Sequence, residues 1–82
     1  MVDEYYQQIM IDDEKETIKY YAREIGQCKW MLERQTESKN KQLWQYFLAY
    51  AEAELEFANE RLEKYRTELI DWQRQQRELS AV

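Results

Sequence analysis

Carboxylates that could act together in catalysis occur in the second half of this 82-residue chain, where four glutamates follow helical spacing. These residues are Glu52, Glu56, Glu60 and Glu63. Di-iron helical bundles use inward-facing glutamates, but they combine them with Glu-x-x-His pairs. The sequence contains no histidine, and the four glutamates lie away from the leucine positions of the same segment. We therefore interpret them as a solvated, charged helix face.

The sequence also lacks the residues that nucleophilic catalysis and metal binding require. A serine or cysteine nucleophile needs a base, which is most often histidine, and the single glycine leaves no glycine-rich phosphate loop. The lone Cys28 excludes an internal disulfide and, without histidine, a Cys/His zinc site. We expect no enzymatic activity, no metal and no cofactor, and we interpret Cys28 as a small buried residue.

A basic stripe in the first half of the chain could contact nucleic acid, because Lys15, Lys19 and Arg23 follow one another at intervals of four residues. Nucleic-acid affinity depends mainly on neutralising phosphates. The chain has a net charge of −5 and a pI of about 4.8, and acids separate the bases of its second half. Nucleic-acid binding is therefore kept only as an alternative, and a solvated stripe is favoured.

The net charge resides near the N-terminus, since residues 1–16 carry six acids and one base while residues 17–82 are balanced. Four of these acids cluster as Asp12, Asp13, Glu14 and Glu16. They could engage a basic surface on a partner protein. They could also cap a helix that starts near residue 13, because acidic side chains stabilise helix N-termini, and we favour this local explanation.

Aromatic residues are the most informative feature of the composition, with three Trp, seven Tyr and two Phe. A purely structural coiled coil needs few of them, whereas interface cores are enriched in Trp and Tyr. Trp72 is the best single candidate for an anchor, although it could instead pack on residues 3–7 at the end of the fold. The predicted protein interface comprises Leu43, Phe47, Tyr50, Phe57, Tyr20, Trp30, Met31 and Trp72.

The elements that position these residues follow from two heptad series. The series consist of Ile11, Ile18, Ile25 and Leu32, and of Leu48, Leu55, Leu62 and Leu69. A polar cluster of turn-type residues at 36–40 separates them. Two apolar seams joined by a short loop predict an all-α, antiparallel helical hairpin. We expect one domain over residues 1–82, with helix 1 over about 3–36, a loop over about 36–41 and helix 2 over about 41–79. A break in helix 1 at 12–13, after a short separate N-terminal helix, is the alternative.

The register of the hairpin follows from a loop centred near residue 38. This loop places Ile18 across from Ala58 and Ile25 across from Ala51, so that large residues pack against small ones. A slip of one heptad would use Lys41 and Gln42 in the turn and is disfavoured. Glu14 then lies in a seam layer, where a carboxylate is costly unless it reaches water. The expected core comprises Ile18, Ile25, Leu32, Leu48, Leu55 and Leu62, with Ala51 and Ala58 facing helix 1.

Two helices cannot turn both the seam and the neighbouring aromatic residues inward, so the N-terminal segment, a second copy or a partner must cover the latter. We expect a homodimer with four helices, built from two hairpins. No apolar run reaches the ~18 residues of a membrane span, and the N-terminus lacks the pattern of a signal peptide. A single cysteine suits a reducing compartment, and we expect a cytoplasmic protein.

These properties favour a non-enzymatic protein that self-associates and acts as an inhibitor or adaptor of a second protein. Small, acidic, aromatic-rich helical chains of this kind suit phages and other mobile elements. A purely structural oligomerisation module is one alternative, and a nucleic-acid-binding helical bundle that uses the basic stripe is another.

Overall fold

The computed structural model describes residues 3–80, which form a hairpin of two long helices, α1 (Glu4–Arg34) and α2 (Ser38–Ser80). No strand occurs in this part of the chain. The helices run antiparallel and give a rod with extents of 68 × 16 × 14 Å. The prediction of an all-α, antiparallel helical hairpin is confirmed. Over the same residues, neither helix contains an apolar stretch long enough to cross a lipid bilayer.

α1 begins well before the acidic cluster at residues 12–16. Its N-cap is Asp3, whose Oδ1 accepts hydrogen bonds from the backbone N–H groups of Tyr5 at 3.0 Å and Tyr6 at 3.4 Å. The alternative in which helix 1 breaks inside this cluster, after a separate short helix, is therefore wrong. The acids of the cluster other than Glu14 are exposed, so their charges stay solvated along a continuous helix.

The chain reverses over residues 35–37, so the predicted loop over about 36–41 is too long and begins one residue late. α1 ends where Gln35 takes an extended conformation, with φ −79° and ψ 133°. Its N–H still donates to the Met31 carbonyl at 3.1 Å, which satisfies one of the last carbonyl groups of the helix.

α2 begins at Ser38 and not near residue 41, because the polar residues at its start fit a first helical turn as well as a loop. The Lys41 N–H donates to the Glu37 carbonyl at 3.0 Å, and the Asn40 amide donates to the Glu37 carboxylate at 3.4 Å. The Glu37 carboxylate also complements the partial positive charge of a helix N-terminus. Polar composition alone does not distinguish a first helical turn from a loop.

Side-chain hydrogen bonds between the helices show the register. Arg61 Nε donates to Glu14 Oε1 at 2.8 Å, Gln7 Nε2 to Glu68 Oε2 at 3.0 Å, and Gln73 Nε2 to Glu4 Oε1 at 3.2 Å. This register agrees with a loop centred near residue 38 and excludes the slip of one heptad. All of these contacts lie in the half of the hairpin remote from the loop, which we call the open end.

The core is a narrow seam between the two helices. Its buried apolar residues are Ile11, Cys28, Ala51, Ala58 and Leu62. Ala51 and Ala58 face α1, and their small side chains allow the helices to approach closely.

The expected core is only partly enclosed. Leu62 is buried, but Ile18, Ile25, Leu32, Leu48 and Leu55 are half-buried. Two helices enclose only the line between their axes, so seam residues on either side of that line keep contact with water. The expectation that these five residues are mostly buried is therefore corrected.

Candidate interaction surface

The loop half of the hairpin contains a groove of about 420 Å³ between the helices. α1 lines it with Tyr20, Tyr21, Glu24, Gln27 and Cys28, and α2 lines it with Trp44, Phe47, Tyr50 and Ala51. Aromatic rings therefore form much of its walls. The groove brings the predicted interface residues Tyr20, Phe47 and Tyr50 together on one side of the hairpin.

This groove belongs to a wider apolar surface. On α2, Leu43, Phe47, Tyr50 and Phe57 are spaced by four, three and seven residues, which places them along one side of the helix. On α1, Met31 follows the groove residue Cys28 by three residues and lies on the same side. We call this surface the aromatic face and define it as Leu43, Phe47, Tyr50 and Phe57 of α2 with Tyr20, Tyr21 and Met31 of α1.

The rings of the aromatic face contact neighbouring rings but remain open to solvent. Phe47 makes edge-on contacts with Trp44 and Tyr46, with ring centroids 5.5 Å and 6.0 Å apart. The exposed fraction is nevertheless 41% for Phe47, 50% for Leu43, and 54% for each of Tyr20, Tyr50 and Phe57. Contiguous exposed apolar surface of this kind usually marks an interaction site.

Two groups that line the groove, Tyr21 and Cys28, have raised pKa values. Burial and, after it, the neighbouring Tyr50 and Glu54 raise the pKa of the Tyr21 phenol above its ordinary value of 10.0. Burial and then Glu24 raise the pKa of the Cys28 thiol. Because Cys28 is also only 3% exposed, it acts as a small buried residue and not as a reactive thiol.

Trp30 is exposed but does not belong to the aromatic face. It lies two residues after Cys28, about 200° around the helix, and therefore points away from the groove. The Arg34 guanidinium lies 3.6 Å from the centroid of the Trp30 ring in a cation–π arrangement. Arg34 also donates to the Trp30 carbonyl at 3.1 Å. Among the predicted interface residues, Trp30 thus stands apart on another surface.

Trp72 lies near the far end of α2 and is also separate from the aromatic face. It is half-buried, and the neighbouring Gln73 donates to Glu4 at 3.2 Å. The start of α1 therefore runs beside this end of α2. This geometry favours a Trp72 that packs at the end of the hairpin over one that serves as a separate anchor.

The acidic cluster divides between solvent and seam. Its exposed members are Asp12, Asp13 and Glu16, and Glu16 accepts from the basic-stripe residue Lys19 at 3.3 Å. Glu14 is buried, with 8% exposed, and its carboxylate is engaged by Arg61 inside the fold. Its position in the heptad series draws it into the seam, so it does not join the predicted partner-binding acids. The Glu14 carboxylate in turn raises the pKa of the Arg61 guanidinium, mainly through their hydrogen bond.

In the described part of the chain, two polar residues are buried in the seam, Gln7 and Glu14, and only Glu14 was predicted from the sequence to lie there. Gln7 is 7% exposed and donates to Glu68, but its Oε1 has no hydrogen-bond partner within residues 3–80. Glu14 Oε2 likewise has no hydrogen-bond partner within these residues. The sequence does contain a signal for Gln7, because it precedes Glu14 by seven residues and so occupies the same heptad position.

The other side of α2 is charged. A second groove there is lined by Glu52, Leu55, Glu56, Asn59, Glu60 and Glu63. The glutamates are exposed, as the interpretation of a solvated face requires. Within residues 3–80, no three acidic or cysteine side chains are grouped so that they could hold a metal ion. The hairpin therefore presents an apolar side and a charged side.

No protein-family model matches this chain, and comparison with curated proteins and with solved structures likewise gave no match. The functional argument therefore rests on the chemistry of the aromatic face and of the surfaces around it.

Proposed function

We propose that this chain is a non-enzymatic protein that acts through protein–protein contacts, and that two copies associate through the aromatic face into a four-helix arrangement. The observation that carries this proposal is the half-exposed row of Leu43, Phe47, Tyr50 and Phe57. α1 cannot cover this row, because it already packs against the adjacent seam. A second hairpin covers it most simply, since a two-fold axis lays the surface against itself.

The accessible surface of the hairpin is large for its mass. It amounts to 6532 Å² for a chain of 10.3 kDa, whereas a folded monomer of this mass is expected to expose about 5,350 Å². The excess of roughly 1,200 Å² is greater than the ~800 Å² that each partner contributes to an interface of standard size. Part of this excess comes from the rod shape, which side-by-side packing of two hairpins would make more compact.

The aromatic face alone supplies much of the area that a dimer needs. A fully covered aromatic side chain buries roughly 150–250 Å², so a half-exposed ring leaves about 100 Å² uncovered. The half-exposed members are Leu43, Phe47, Tyr50, Phe57 and Tyr20. Together they offer roughly 500 Å² per chain, or about 1,000 Å² in a symmetric pair, which reaches the lower limit of specific interfaces.

Sedimentation equilibrium at micromolar concentration tests the association. The unmodified chain should have twice its monomer mass. Phe47→Asp should shift the chain towards monomer, because the change places an unpaired charge in the contact. Asn59→Asp adds the same charge to the charged side of α2 and should leave the dimer intact. A stable monomer for the unmodified chain, or equal effects of the two variants, would contradict the proposal.

We further propose that the assembled protein serves as an inhibitor or adaptor of a second protein. Trp30 and Arg34 support this step, because two residue types enriched in binding hot spots lie together on a surface that a dimer through the aromatic face leaves open. Trp30→Ala should then keep the dimer mass but lose a protein that the unmodified chain retains in affinity capture. Capture of the same protein by both chains would show that Trp30 is not the contact, and capture of no protein by either chain would favour a purely structural oligomerisation module. Salt-dependent binding of RNA or DNA would favour the basic-stripe alternative.

A further inference from the structure

We infer that the two hairpins associate antiparallel, with their loops at opposite ends and Tyr50 of each copy at the two-fold axis. This inference rests on the proposed self-association through the aromatic face. Two kinds of two-fold axis can lay that face against itself. An axis across the helices puts the loops at opposite ends, and an axis along the helices puts them at the same end. The residues of the aromatic face distinguish the two.

On α2, three residues of the aromatic face are arranged symmetrically about Tyr50. Leu43 precedes it by seven residues and Phe57 follows it by seven, and all three are about half-exposed. An axis across the helices at Tyr50 therefore places Leu43 of each copy against Phe57 of the other. It also brings the two Tyr50 rings together, and it places Phe47 of each copy at the level of Ala53 of the other, so that apolar residues meet at each of these levels.

On α1 the same symmetry occurs at the same level of the hairpin. The contact between Glu14 and Arg61 sets the offset between the helices, and this offset places Tyr50 level with Ile25. A single axis at this level therefore acts on both helices at once.

Around that level, Tyr20 and Met31 lie at nearly equal distances on either side, and so do Glu24 and Gln27. The axis pairs Tyr20 of one copy with Met31 of the other. It also lets the Gln27 amide of one copy donate to the Glu24 carboxylate of the other. Apolar residues thus meet apolar residues, and a donor meets an acceptor.

An axis along the helices gives poorer matches. It would lay α2 of one copy on α1 of the other at equal levels, so that Phe47 lies at the level of the buried Cys28 and covers the neighbouring, exposed Gln27. Covering this amide with an aromatic ring leaves it without a partner, which is unfavourable. Phe57 would lie at the level of Ile18, a seam residue that is already half-buried between the helices, and beside the polar Thr17, so it would lack a free apolar partner. The charge and polarity of the aromatic face therefore favour the axis across the helices.

The distance between the two loops tests the orientation. A spin label on Thr36→Cys, in a Cys28→Ala chain, occupies an exposed loop position outside the aromatic face. The loop lies about 20 Å along the helix from the level of Tyr50, so the antiparallel arrangement should give a label separation of about 40 Å in pulsed dipolar spectroscopy. Loops at the same end should give less than ~25 Å, because packed helices lie only 8–10 Å apart.

Sedimentation of the labelled protein separates failure of this inference from failure of the proposed function. A dimer with a separation near 40 Å supports the antiparallel arrangement, and a dimer with less than ~25 Å overturns it while leaving self-association intact. A monomer without dipolar coupling overturns both.

Disulfide formation between two variants provides a second measurement. A mixture of Leu43→Cys and Phe57→Cys chains should cross-link under mild oxidation, because disulfides require Cα atoms within about 7 Å. A mixture of Leu43→Cys and Met31→Cys chains is the matched control, and it should cross-link only if the loops lie at the same end. Preferential cross-linking of this control mixture overturns the inference.

Discussion

Replacement of Glu14 by leucine should stabilise the hairpin, although most substitutions in a helical seam destabilise. The Glu14 side chain is 11% exposed, and its Oε1 accepts a hydrogen bond from Arg61 at 2.8 Å. Its Oε2 has no hydrogen-bond partner within the described residues. The carboxylate therefore occupies an apolar layer, between Ile11 and Ile18 along α1, with only half of its hydrogen-bonding capacity used.

The size of the effect follows from three contributions. A buried polar atom without a partner costs about 1–3 kcal/mol, and burial of a leucine side chain contributes about 1.5–3 kcal/mol. Loss of the charge-assisted hydrogen bond opposes these gains by at most about 1.5–3 kcal/mol, and by less here because the Arg61 side chain is 42% exposed. We expect Glu14→Leu to raise the free energy of unfolding by about 1–3 kcal/mol, within the range known for replacing buried ion pairs by apolar residues.

Urea unfolding followed by helical circular dichroism, at two fixed protein concentrations, measures this change. Arg61→Ala is the matched variant and should destabilise by about 1–3 kcal/mol, because it leaves the Glu14 carboxylate buried without a hydrogen bond. In the Glu14→Leu background, removal of Arg61 should have little further effect. A Glu14→Leu chain less stable than the unmodified one would show that the carboxylate contributes net stabilisation, and would refute the reasoning.

Other residues give further expectations for unfolding and reactivity. Gly26→Ala should stabilise by about 0.8–1 kcal/mol in urea unfolding, since an added Cβ meets no atom within 4 Å; a loss of stability would reveal a hidden contact. Leu62→Ala should cost about 2–5 kcal/mol and Leu55→Ala about half as much, because only the former is buried; equal losses would contradict the observed burial. Iodoacetamide should alkylate Cys28 at least about 100-fold more slowly in the folded than in the urea-unfolded chain, because a buried thiol reacts only while the fold around it is transiently open. Similar rates would contradict the burial of Cys28. Because the pKa of Tyr21 is raised in the fold, its contribution to stability is complete below pH 10 and is lost as the pH rises further. Tyr21→Phe should reduce this alkaline loss, and unchanged pH profiles would count against the shift.

The heptad series predicted the seam and the register because the seven-residue period is strong and because large residues of one helix lie across from small residues of the other. Leu62, Ala51 and Ala58 are buried as that pattern requires. The boundaries at the loop were harder to predict, because polar residues such as the exposed Ser38 and Lys39 fit a first helical turn as well as a loop. Local composition therefore does not predict a helix boundary where the same residue types are compatible with both a helix and a loop.

The candidate surface was predicted as a set of residue types, without the side on which each residue lies. Trp30 and Met31 are adjacent in sequence, yet about 100° of helical rotation places only Met31 on the aromatic face. This division follows from helical geometry once the groove is known. Arg61 as the partner of Glu14 could also be predicted, because it is the neighbour of Leu62, which the register places across from Glu14. The unpartnered oxygens of Glu14 and Gln7 depend on side-chain geometry, which the sequence pattern does not contain.

The two halves of the hairpin are held together by different interactions, and this difference bears on how it assembles. At the open end, side-chain hydrogen bonds between the helices flank the buried Ile11 and Leu62, and such hydrogen bonds contribute little net stability where water can replace them. In the loop half, Cys28 and Ala51 pack beneath aromatic rings whose outer surfaces remain in water. A second copy therefore gains most if it covers the loop half and leaves the open end solvated. An axis across the helices at Tyr50 overlaps the loop halves in this way, whereas an axis along the helices would also bring the two open ends, with their exposed hydrogen bonds, together. The distribution of aromatic and polar contacts along the seam thus favours the same antiparallel arrangement that the symmetry of the aromatic face indicates.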